Sequence, residues 1–458
     1  MYLAIIVAVF IISGFLLGIR LLQKPETALW GNRLGALCML LAILYTIALL
    51  GGWNSVGIWV LLAVGLTVGL ILGSLVKMVQ MPQMVALLNG FGGAASAGIA
   101  LAAAFIDGAG ASVFTWLTIG LALAVGIMTL SGSLVAALKL SGLISQQPVI
   151  IAGHRFLLYL FLAAGVVMII LSPFLLTNAI YIIFFLFAVY GILLTIRIGG
   201  ADMPIIISLL NSLSGVAAAI CGFAVENMIL TGTGAIVGVA GLILTQIMCR
   251  AMNRSLPKVL GGFLVKESSC AGEPVAAAEP GSDIEDSADP MERLPQVVRE
   301  AESVVIIPGY GMAVAQAQQQ VKDLIDKLEE KGKTVKIAIH PVAGRMPGHM
   351  NVLLAEVGIP YEKLYEMDVI NQEFESTDLV IAIGACDVIN PAANTAEGTP
   401  IYGMPILEAS EAKQIVVCNM DQKPGYSGVD NTLYLCEKAI GIWGNAADTV
   451  PQITALLD

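Results

Sequence analysis

The stretch ADMPIIISLLNSLSG, residues 201–215, carries an aspartate, an asparagine and three serines in an otherwise almost wholly apolar segment. Apolar residues continue after it for long enough to build a helix across a bilayer, which needs about 20 residues. Polar groups inside a bilayer are costly and face a bundle interior or a water-filled cavity. The stretch therefore predicts a membrane helix with a polar stripe, in which Asp202 and Asn211 are the candidate functional residues.

Eight more apolar runs of similar length accompany this one. The predicted spans lie near residues 2–22, 33–52, 56–76, 82–106, 113–138, 156–173, 178–196, 203–225 and 229–249. The basic residues flank the connections that follow odd-numbered spans, so the positive-inside rule predicts an outside N-terminus and a cytoplasmic C-terminal domain. In the ninth span, Gly234 and Gly238 have the small-xxx-small spacing that lets helices approach closely.

Charge divides the chain into two parts. Residues 1–264 have a net charge of +6 and residues 265–458 a net charge of −17. We predict a transmembrane domain over 1–264, a flexible acidic linker over 265–290, and a soluble domain over 291–458. The sparse basic residues argue against nucleic-acid binding. The seven scattered cysteines and three histidines show no metal-ligand spacing and favour packing roles for the cysteines.

An internal repeat links two of the spans. MPQMVALLNGFGGAA, from Met81, matches MPIIISLLNSLSGVA, from Met203, at seven of fifteen positions. Asn89 and Asn211 therefore enter their helices at the same depth, roughly 10 Å past a proline at 1.5 Å per residue. Either amide would serve as an interhelical hydrogen bond or line a hydrated path. Asp202 would either favour the helix dipole or exchange protons with water at the mouth of that path.

The C-terminal part is typical of an α/β fold. SVVIIPGYGMAVAQAQQQVKDLIDKLEEKGK, residues 303–333, predicts a strand, a tight glycine turn and one helix. TVKIAIHP, LVIAIGA and QIVVCN predict buried parallel strands, and TLYLC a further strand. The fold class predicted for the whole chain is nine transmembrane helices followed by a soluble Rossmann-like domain with a parallel sheet.

A glycine motif opens the soluble domain. Gly309, Gly311 and Val314 form GxGxxV between a strand and a helix, where backbone approaches a pyrophosphate closely. The second strand ends in His340 without an acid for a ribose, which disfavours an ordinary NAD pose. Arg345 is a candidate phosphate ligand, or else a surface ion-pair partner.

Asp387 follows the third predicted strand in the segment IGACDVINPAA. Ligands of open α/β sheets bind at the carboxyl ends of the strands, so this carboxylate is placed to accept a hydrogen bond from a ribose or an amide. The alternative is that it caps a turn.

Together, GGADMPIIISLLNSLSG, IMCRAMNRS, PGYGMAVAQAQ, HPVAGRMPGHMNVLLAE, EMDVIN and NPAA closely resemble the beta subunit of proton-translocating NAD(P) transhydrogenases over nearly the whole chain. The resemblance implies an oxidoreductase and translocase of the bacterial cytoplasmic membrane. It implies that the soluble domain binds NADP(H) in a flipped orientation, which removes the argument from the missing ribose acid. It also implies a separate alpha subunit that binds NAD(H), hydride transfer between the two nicotinamides, and a dimer of alpha–beta units.

The resemblance also implies site residues. Asp202 and Asn211 match the family's membrane Asp and Asn, and Asn89 joins them in a proton path. Asn445 stands where the family has Asp. No metal ligand is implied. The cofactor-binding positions are Gly309, Tyr310, Gly311, Met312, Ala313, Val314, Arg345, Gly348, Gly384, Ala385, Cys386, Asp387, Gly425, Tyr426, Gly444 and Asn445.

Two departures bear on mechanism. Some members carry a histidine where this chain has Asn89, so a relay by imidazole is absent here. The family's Lys-Arg-Ser, which takes the 2′-phosphate, is replaced by Asn419, Met420 and Asp421. Lys423 is a possible substitute cation, and the preference for NADP(H) over NAD(H) stays open.

Two other functional classes remain as alternatives. One is a membrane transporter gated by its nucleotide domain without redox turnover, which predicts no hydride transfer with any partner. The other is a scaffold with a degenerate nucleotide domain, which predicts no nucleotide binding. The intact GYGMAVAQAQ and HPVAGRMPG segments argue against degeneration.

Overall fold

The computed structural model of the chain divides into two compact units, Met1–Gln246 and Ile247–Asp458. The residues that the structure describes are 2–76, 80–107, 110–145, 149, 151, 153–199, 202–251, 255–261, 290–344, 348–397, 399, 401–425 and 427–457. All but the last residue of the predicted linker at 265–290 lies outside them.

Long apolar helices make up the N-terminal part. They are α1 (Tyr2–Leu22), α2 (Pro25–Leu49), α3 (Val56–Leu75), α4 (Met81–Asp107), α5 (Val113–Leu140), α6 (His154–Leu175), α7 (Thr177–Ile196), α8 (Met203–Ala224) and α9 (Met228–Ala251). In the described part of the chain, nine helices are long and apolar enough to cross a membrane, by length and composition. The predicted nine spans are confirmed. The second begins at Pro25 rather than near residue 33, because proline at a first helical turn loses no hydrogen bond.

Small residues let the helices of this unit touch backbone to backbone. A Cβ built on Gly93 of α4 would lie 2.6 Å from the Gly126 carbonyl of α5, and one on Gly126 would lie 2.7 Å from the Gly93 carbonyl. Real Cβ atoms do not approach so closely, so both positions require glycine for this packing. The apolar core around this contact includes Trp116, Ile119 and Ile183, all buried.

The small-xxx-small spacing in α9 has the predicted consequence. A Cβ on Gly215 of α8 would lie 2.5 Å from the Gly238 nitrogen and 3.0 Å from the Gly234 carbonyl. Ser212 donates its hydroxyl proton to the Gly238 carbonyl at 2.6 Å. Close approach thus allows α8 and α9 to bond directly, side chain to backbone.

The second unit is an α/β domain. After α10 (Leu256–Gly261), its elements are α11 (Pro290–Glu300), β1 (Ser303–Pro308), α12 (Tyr310–Ala315), α13 (Gln318–Glu330), β2 (Thr334–Ile339), α14 (His349–Glu356), β3 (Leu364–Glu366), α15 (Met367–Ile370), β4 (Leu379–Ile383), α16 (Ala392–Thr395), β5 (Gln414–Asn419), β6 (Ala439–Trp443) and α17 (Ala446–Ala455). All strand pairs are parallel, in the order β3-β2-β1-β4-β5-β6. The predicted Rossmann-like sheet is confirmed, and its strand order reverses between β1 and β4.

Two local predictions in this domain are wrong. TLYLC is not a strand: residues Thr432–Leu435 form a 3₁₀ turn, which Asn431 caps by accepting from the Leu433 N–H at 3.0 Å. The sixth strand is β6, a few residues later. The helix predicted after the glycine turn is broken into α12 and α13 at Gln316, whose φ of 53° is left-handed.

Candidate functional site

The polar residues of the repeated segments lie where α4 meets α8. Asn89, which is 7% exposed, donates from Nδ2 to the Ile207 carbonyl at 3.2 Å. Further along both helices, Cys221 Sγ contacts the Ser96 carbonyl at 3.6 Å. Because the contacts advance together along the two helices, α4 and α8 run in the same direction.

The Asn89 side chain and the Asn211 backbone N–H share one acceptor, the Ile207 carbonyl. In an α-helix the N–H of residue i bonds the carbonyl of residue i−4, so Ile207 lies one turn before Asn211. The Asn89 amide therefore joins α8 at the turn that carries Asn211. The side chain of Asn211 is half-buried and forms no hydrogen bond with any described residue, while its carbonyl accepts from Ser214 Oγ at 2.7 Å. Of the two interpretations of Asn89, the interhelical hydrogen bond is the contact present.

Two serines of the stripe, Ser208 and Ser212, face α9. The hydroxyls of Ser208 and Thr245 lie 3.0 Å apart, and both lie within hydrogen-bond distance of the Gly241 carbonyl. Thr245 and Ser212 are fully buried. Sequence reasoning missed Thr245, because a single hydroxyl in an apolar span carries no signal until its neighbour is known.

Asp202 precedes the first turn of α8 and is half-buried. Its backbone N–H donates to the Gly199 carbonyl at 3.2 Å, and its carboxylate does not cap the helix. Nine residues separate it from Asn211, or about 13 Å along a helix. The structure therefore places Asp202 at one end of the helix and the two amides further inside.

At the carboxyl edge of the sheet, the predicted glycines bring two loops together. The N–H of Gly309 donates to the Ile383 carbonyl, and that of Gly311 to the Gly384 carbonyl, both at 2.8 Å. A Cβ on Gly309 would lie 2.2 Å from the Gly384 oxygen. Gly384 itself has a left-handed φ of 66°. These glycines are required first of all for the β1 and β4 loops to touch.

The residues of α12 divide between core and edge. Met312 and Ala313 are buried, whereas Val314 is 55% exposed. With six residues before the break at Gln316, α12 is much shorter than the predicted helix.

Asp387 joins the loops that follow β4 and β5. Its carboxylate accepts from the Ser427 hydroxyl at 2.7 Å and from the Ser427 N–H at 3.0 Å. A Cβ on Gly425 would lie 2.7 Å from both carboxylate oxygens, so glycine leaves the space that this bridge needs. Asp387 thus bridges two loops instead of capping its own turn. Sequence reasoning missed Ser427, since forty residues separate it from Asp387.

A buried network lies behind this bridge. Asn419 donates from Nδ2 to the Ala385 carbonyl at 2.8 Å and to the Tyr434 hydroxyl at 2.7 Å. Asn431 donates to the Cys386 carbonyl at 3.0 Å. Burial raises the pKa of the Cys386 thiol and that of the Tyr434 phenol, so both groups stay neutral.

The loop after β5 offers little positive charge. Asn419 is buried and its amide points into the fold, while Met420 is 67% exposed. Lys423 Nζ lies 3.2 Å from an Asp421 carboxylate oxygen, and the other oxygen of that carboxylate accepts from the Lys423 N–H. The cation considered as a substitute for Lys-Arg-Ser is therefore paired with an acid, in an exposed and weak ion pair.

The other predicted positions are dispersed around the same edge. Asn445 caps α17 by accepting from its first turn, and Gly444 precedes it. Gly348 has a φ of 70° at the start of α14. Arg345 and Tyr426 lie outside the described residues.

His340 has a role within the fold. Its Nε2 donates to the Pro405 carbonyl at 2.8 Å, and its Nδ1 accepts from the Val342 N–H at 3.2 Å. Burial lowers the pKa of its imidazole to about 4. The neutral ring holds the end of β2 against the neighbouring loop, and both of its nitrogens are used.

The edge as a whole has the strand topology that dinucleotide-binding sheets share. Open α/β sheets bind such ligands in the crevice at the carboxyl ends of the strands, where the strand order reverses. The β1 turn and the β4 loop meet at that point, and the Asp387–Ser427 bridge brings the β5 loop beside them.

Comparison with known proteins gives independent information on the family of this chain. The family model described as NAD(P) transhydrogenase beta subunit matches residues 2–456. Two relatives from Rhodospirillum rubrum, one of them from a named strain, are called NAD(P) transhydrogenase subunit beta. Each is 39% identical over 464 residues, covering 98% of this chain and 98% of its own length.

Proposed function

The chain belongs to the NAD(P) transhydrogenase beta subunit family, and from that premise we propose that it couples hydride transfer to proton translocation. Hydride passes between NADP(H), bound at the carboxyl edge of its sheet, and NAD(H), bound by a partner alpha subunit. The observation that carries the proposal is the union, in one chain, of a dinucleotide-type sheet and a membrane helix pair joined through Asn89.

The nucleotide site is proposed to use the loops that meet at the strand-order reversal. The bound dinucleotide supplies the hydride chemistry through its nicotinamide, so the protein needs no acid or nucleophile cluster. The β1 turn, residues 309–314, and the β4 loop, residues 384–387, bind and orient it. The Asp387–Ser427 bridge sets the spacing between the β4 and β5 loops. Arg345 is proposed to bind a phosphate.

The proton path is proposed to begin at Asp202, which exchanges protons with water at the cytoplasmic mouth of α8. Asn211 and Asn89 order water further inside, because an amide orients water and does not itself carry the proton. The half-buried amide of Asn211, which bonds to no described side chain or backbone group, supports this role more directly than the bonded amide of Asn89.

Coupling follows from linkage. A proton that crosses 100 mV supplies about 2.3 kcal/mol, enough to shift an equilibrium more than tenfold. If protonation near Asp202 alters nucleotide affinity, then nucleotide state must alter proton affinity by the same factor. The N-terminus is proposed to lie outside, residues 291–458 in the cytoplasm beyond the 265–290 linker, and the assembly to be a dimer of alpha–beta units.

The test is reconstitution of this chain and its alpha subunit in sealed vesicles. Addition of NADPH and oxidised NAD is expected to give hydride transfer together with a pH change across the vesicle membrane, and a protonophore should abolish only the pH change. Hydride transfer without any pH change would overturn the coupling. Proton movement without hydride transfer would instead favour a gated transporter.

A further inference from the structure

Lys139 is a buried cation that the proposed mechanism does not use. It lies one residue before the end of α5 and is 1% exposed. Its Nζ donates to the carbonyls of Ile196 and Ile198, the latter at 2.8 Å. An ammonium group is costly to bury unless hydrogen-bond acceptors replace water around it. A lysine that only set membrane orientation would have no reason to be buried.

The acceptors are carbonyls at the end of a helix. The last four carbonyls of an α-helix lack partners within the helix, and a cation there is also favoured by the helix dipole. At the end of α7, the Leu193 carbonyl lies 2.9 Å from His154 Nε2, and the Ile196 carbonyl accepts from Lys139. Lys139 therefore acts as a charged C-cap for α7, supplied from α5.

This cap lies at the start of the segment that leads to Asp202. Ile198, the second acceptor, is four residues before Asp202 in the chain. The Asp202 N–H donates to the carbonyl of Gly199, which is the residue after Ile198. The Asp202 carbonyl accepts from the Ile206 N–H at 3.3 Å. The position of Asp202 therefore depends on a backbone that Lys139 holds at one side and α8 at the other.

We propose that Lys139 is a positioning residue for proton exchange at Asp202: by capping α7 it holds the Ile198 carbonyl, next to the Gly199 carbonyl to which the Asp202 N–H donates. This inference rests on the proposed role of Asp202 in proton translocation.

The first measurement is hydrogen exchange in the full chain, assembled with its alpha subunit in lipid nanodiscs. Lys139→Met removes the donors, and amides of residues 198–206 are expected to exchange about tenfold faster, as the loss of one hydrogen bond implies. Lys139→Arg keeps charged donors and should stay close to wild type. Unchanged exchange in Lys139→Met overturns the proposal.

A matched control comes from the same end of the helix bundle. Gln83 of α4 donates to the Leu140 carbonyl at 3.0 Å, so this hydrogen bond ties α4 to α5 and is not a bond to α7. Gln83→Leu should leave exchange over 198–206 unchanged. An equal rise in Gln83→Leu would show general loosening and contradict a specific role for Lys139.

The second measurement is the number of protons moved per hydride in vesicles. Lys139→Met should lower this ratio by half or more, and Lys139→Arg should keep it close to the wild-type value. A merely structural defect would instead lower the rate of hydride transfer and the rate of proton movement together, and leave their ratio unchanged. An unchanged ratio overturns the positioning role. Should Lys139→Met fail to assemble, Lys139→Gln, shorter by one bond, decides by the same two readouts. Hydride transfer without proton movement in the wild type would refute the proposed function, whereas the exchange result would still stand.

Discussion

In the helix bundle and at the sheet edge alike, close glycine contacts bring the polar groups together, but the hydrogen bonds that these groups form differ. In both, glycines let two backbones touch: Gly215 against Gly238 in the bundle, and Gly309 against Gly384 at the edge. In the bundle, polar side chains then bond to helix carbonyls, as Asn89 does to Ile207. At the edge, the side chains of Asp387 and Ser427 bond to each other across two loops. The polar groups of the bundle are thus positioned by helices, whereas the Asp387–Ser427 pair at the sheet edge is positioned by loops.

The largest expected effect is that on proton-coupled turnover when Asp202, the acid at the start of the polar stripe of α8, is replaced. Asp202→Asn should lower proton-coupled turnover by more than about a hundredfold, because an amide cannot exchange a proton. Vesicle pH recording measures this. Glu226→Gln is the matched control, because Glu226 lies just past the other end of α8 and is exposed. An equal loss of proton-coupled turnover in both variants would contradict a specific role for Asp202.

At the sheet edge, Gly309→Ala should lower the free energy of unfolding by about 3 kcal/mol, since its Cβ would meet the Gly384 oxygen at 2.2 Å. Hydrogen exchange of β1 and β4 amides in the full chain measures the loss. Wild-type protection in this variant would show that the two loops do not need to touch.

In the bundle, Gly215→Ala should lower the free energy of unfolding by about 2 kcal/mol. The loss is smaller than at the sheet edge because two helices can move apart more easily than two short loops. Gly98→Ala is the control, because a Cβ there would meet no described atom within 4 Å apart from its own helix backbone and chain neighbours. Thermal unfolding in detergent compares the pair. If Gly98→Ala destabilises as much, close approach of α8 and α9 is not the cause.

The smallest effect concerns pH. The folded His340 has a pKa of about 4, below the usual 6.5, so the unfolded chain binds the proton first as pH falls. Its stabilising contribution is complete above pH 6.5 and declines as pH falls toward 4. Between pH 7 and 5.5 the loss should be about 1 kcal/mol. Exchange of β2 amides, corrected for intrinsic rates, should show this loss in wild type and not in His340→Gln.

The same contrast explains what could be predicted from sequence. In the bundle, polar residues are rare among long apolar runs, so Asp202, Asn89 and Asn211 stand out in the sequence alone. Continuous apolar runs likewise reveal β1, β2, β4 and β5. TLYLC fails as a strand because the preceding Asn431 caps a 3₁₀ turn there.

At the sheet edge, polarity carries no such signal, because most surface residues are polar. The Asp387–Ser427 bridge joins residues far apart in the chain, and the break at Gln316 depends on a single left-handed residue. Lys139 is visible in the sequence as a flanking charge, but its burial against Ile196 and Ile198 appears only once α5 and α7 are packed.

Imposing a pH difference on sealed vesicles that contain the assembled alpha and beta subunits tests the coupling most directly. The NADPH to NADP ratio at equilibrium with a fixed NADH to NAD ratio should move about tenfold per pH unit for each proton coupled. Reversing the pH difference should reverse the shift. A ratio that stays constant across pH differences of either sign would contradict the account.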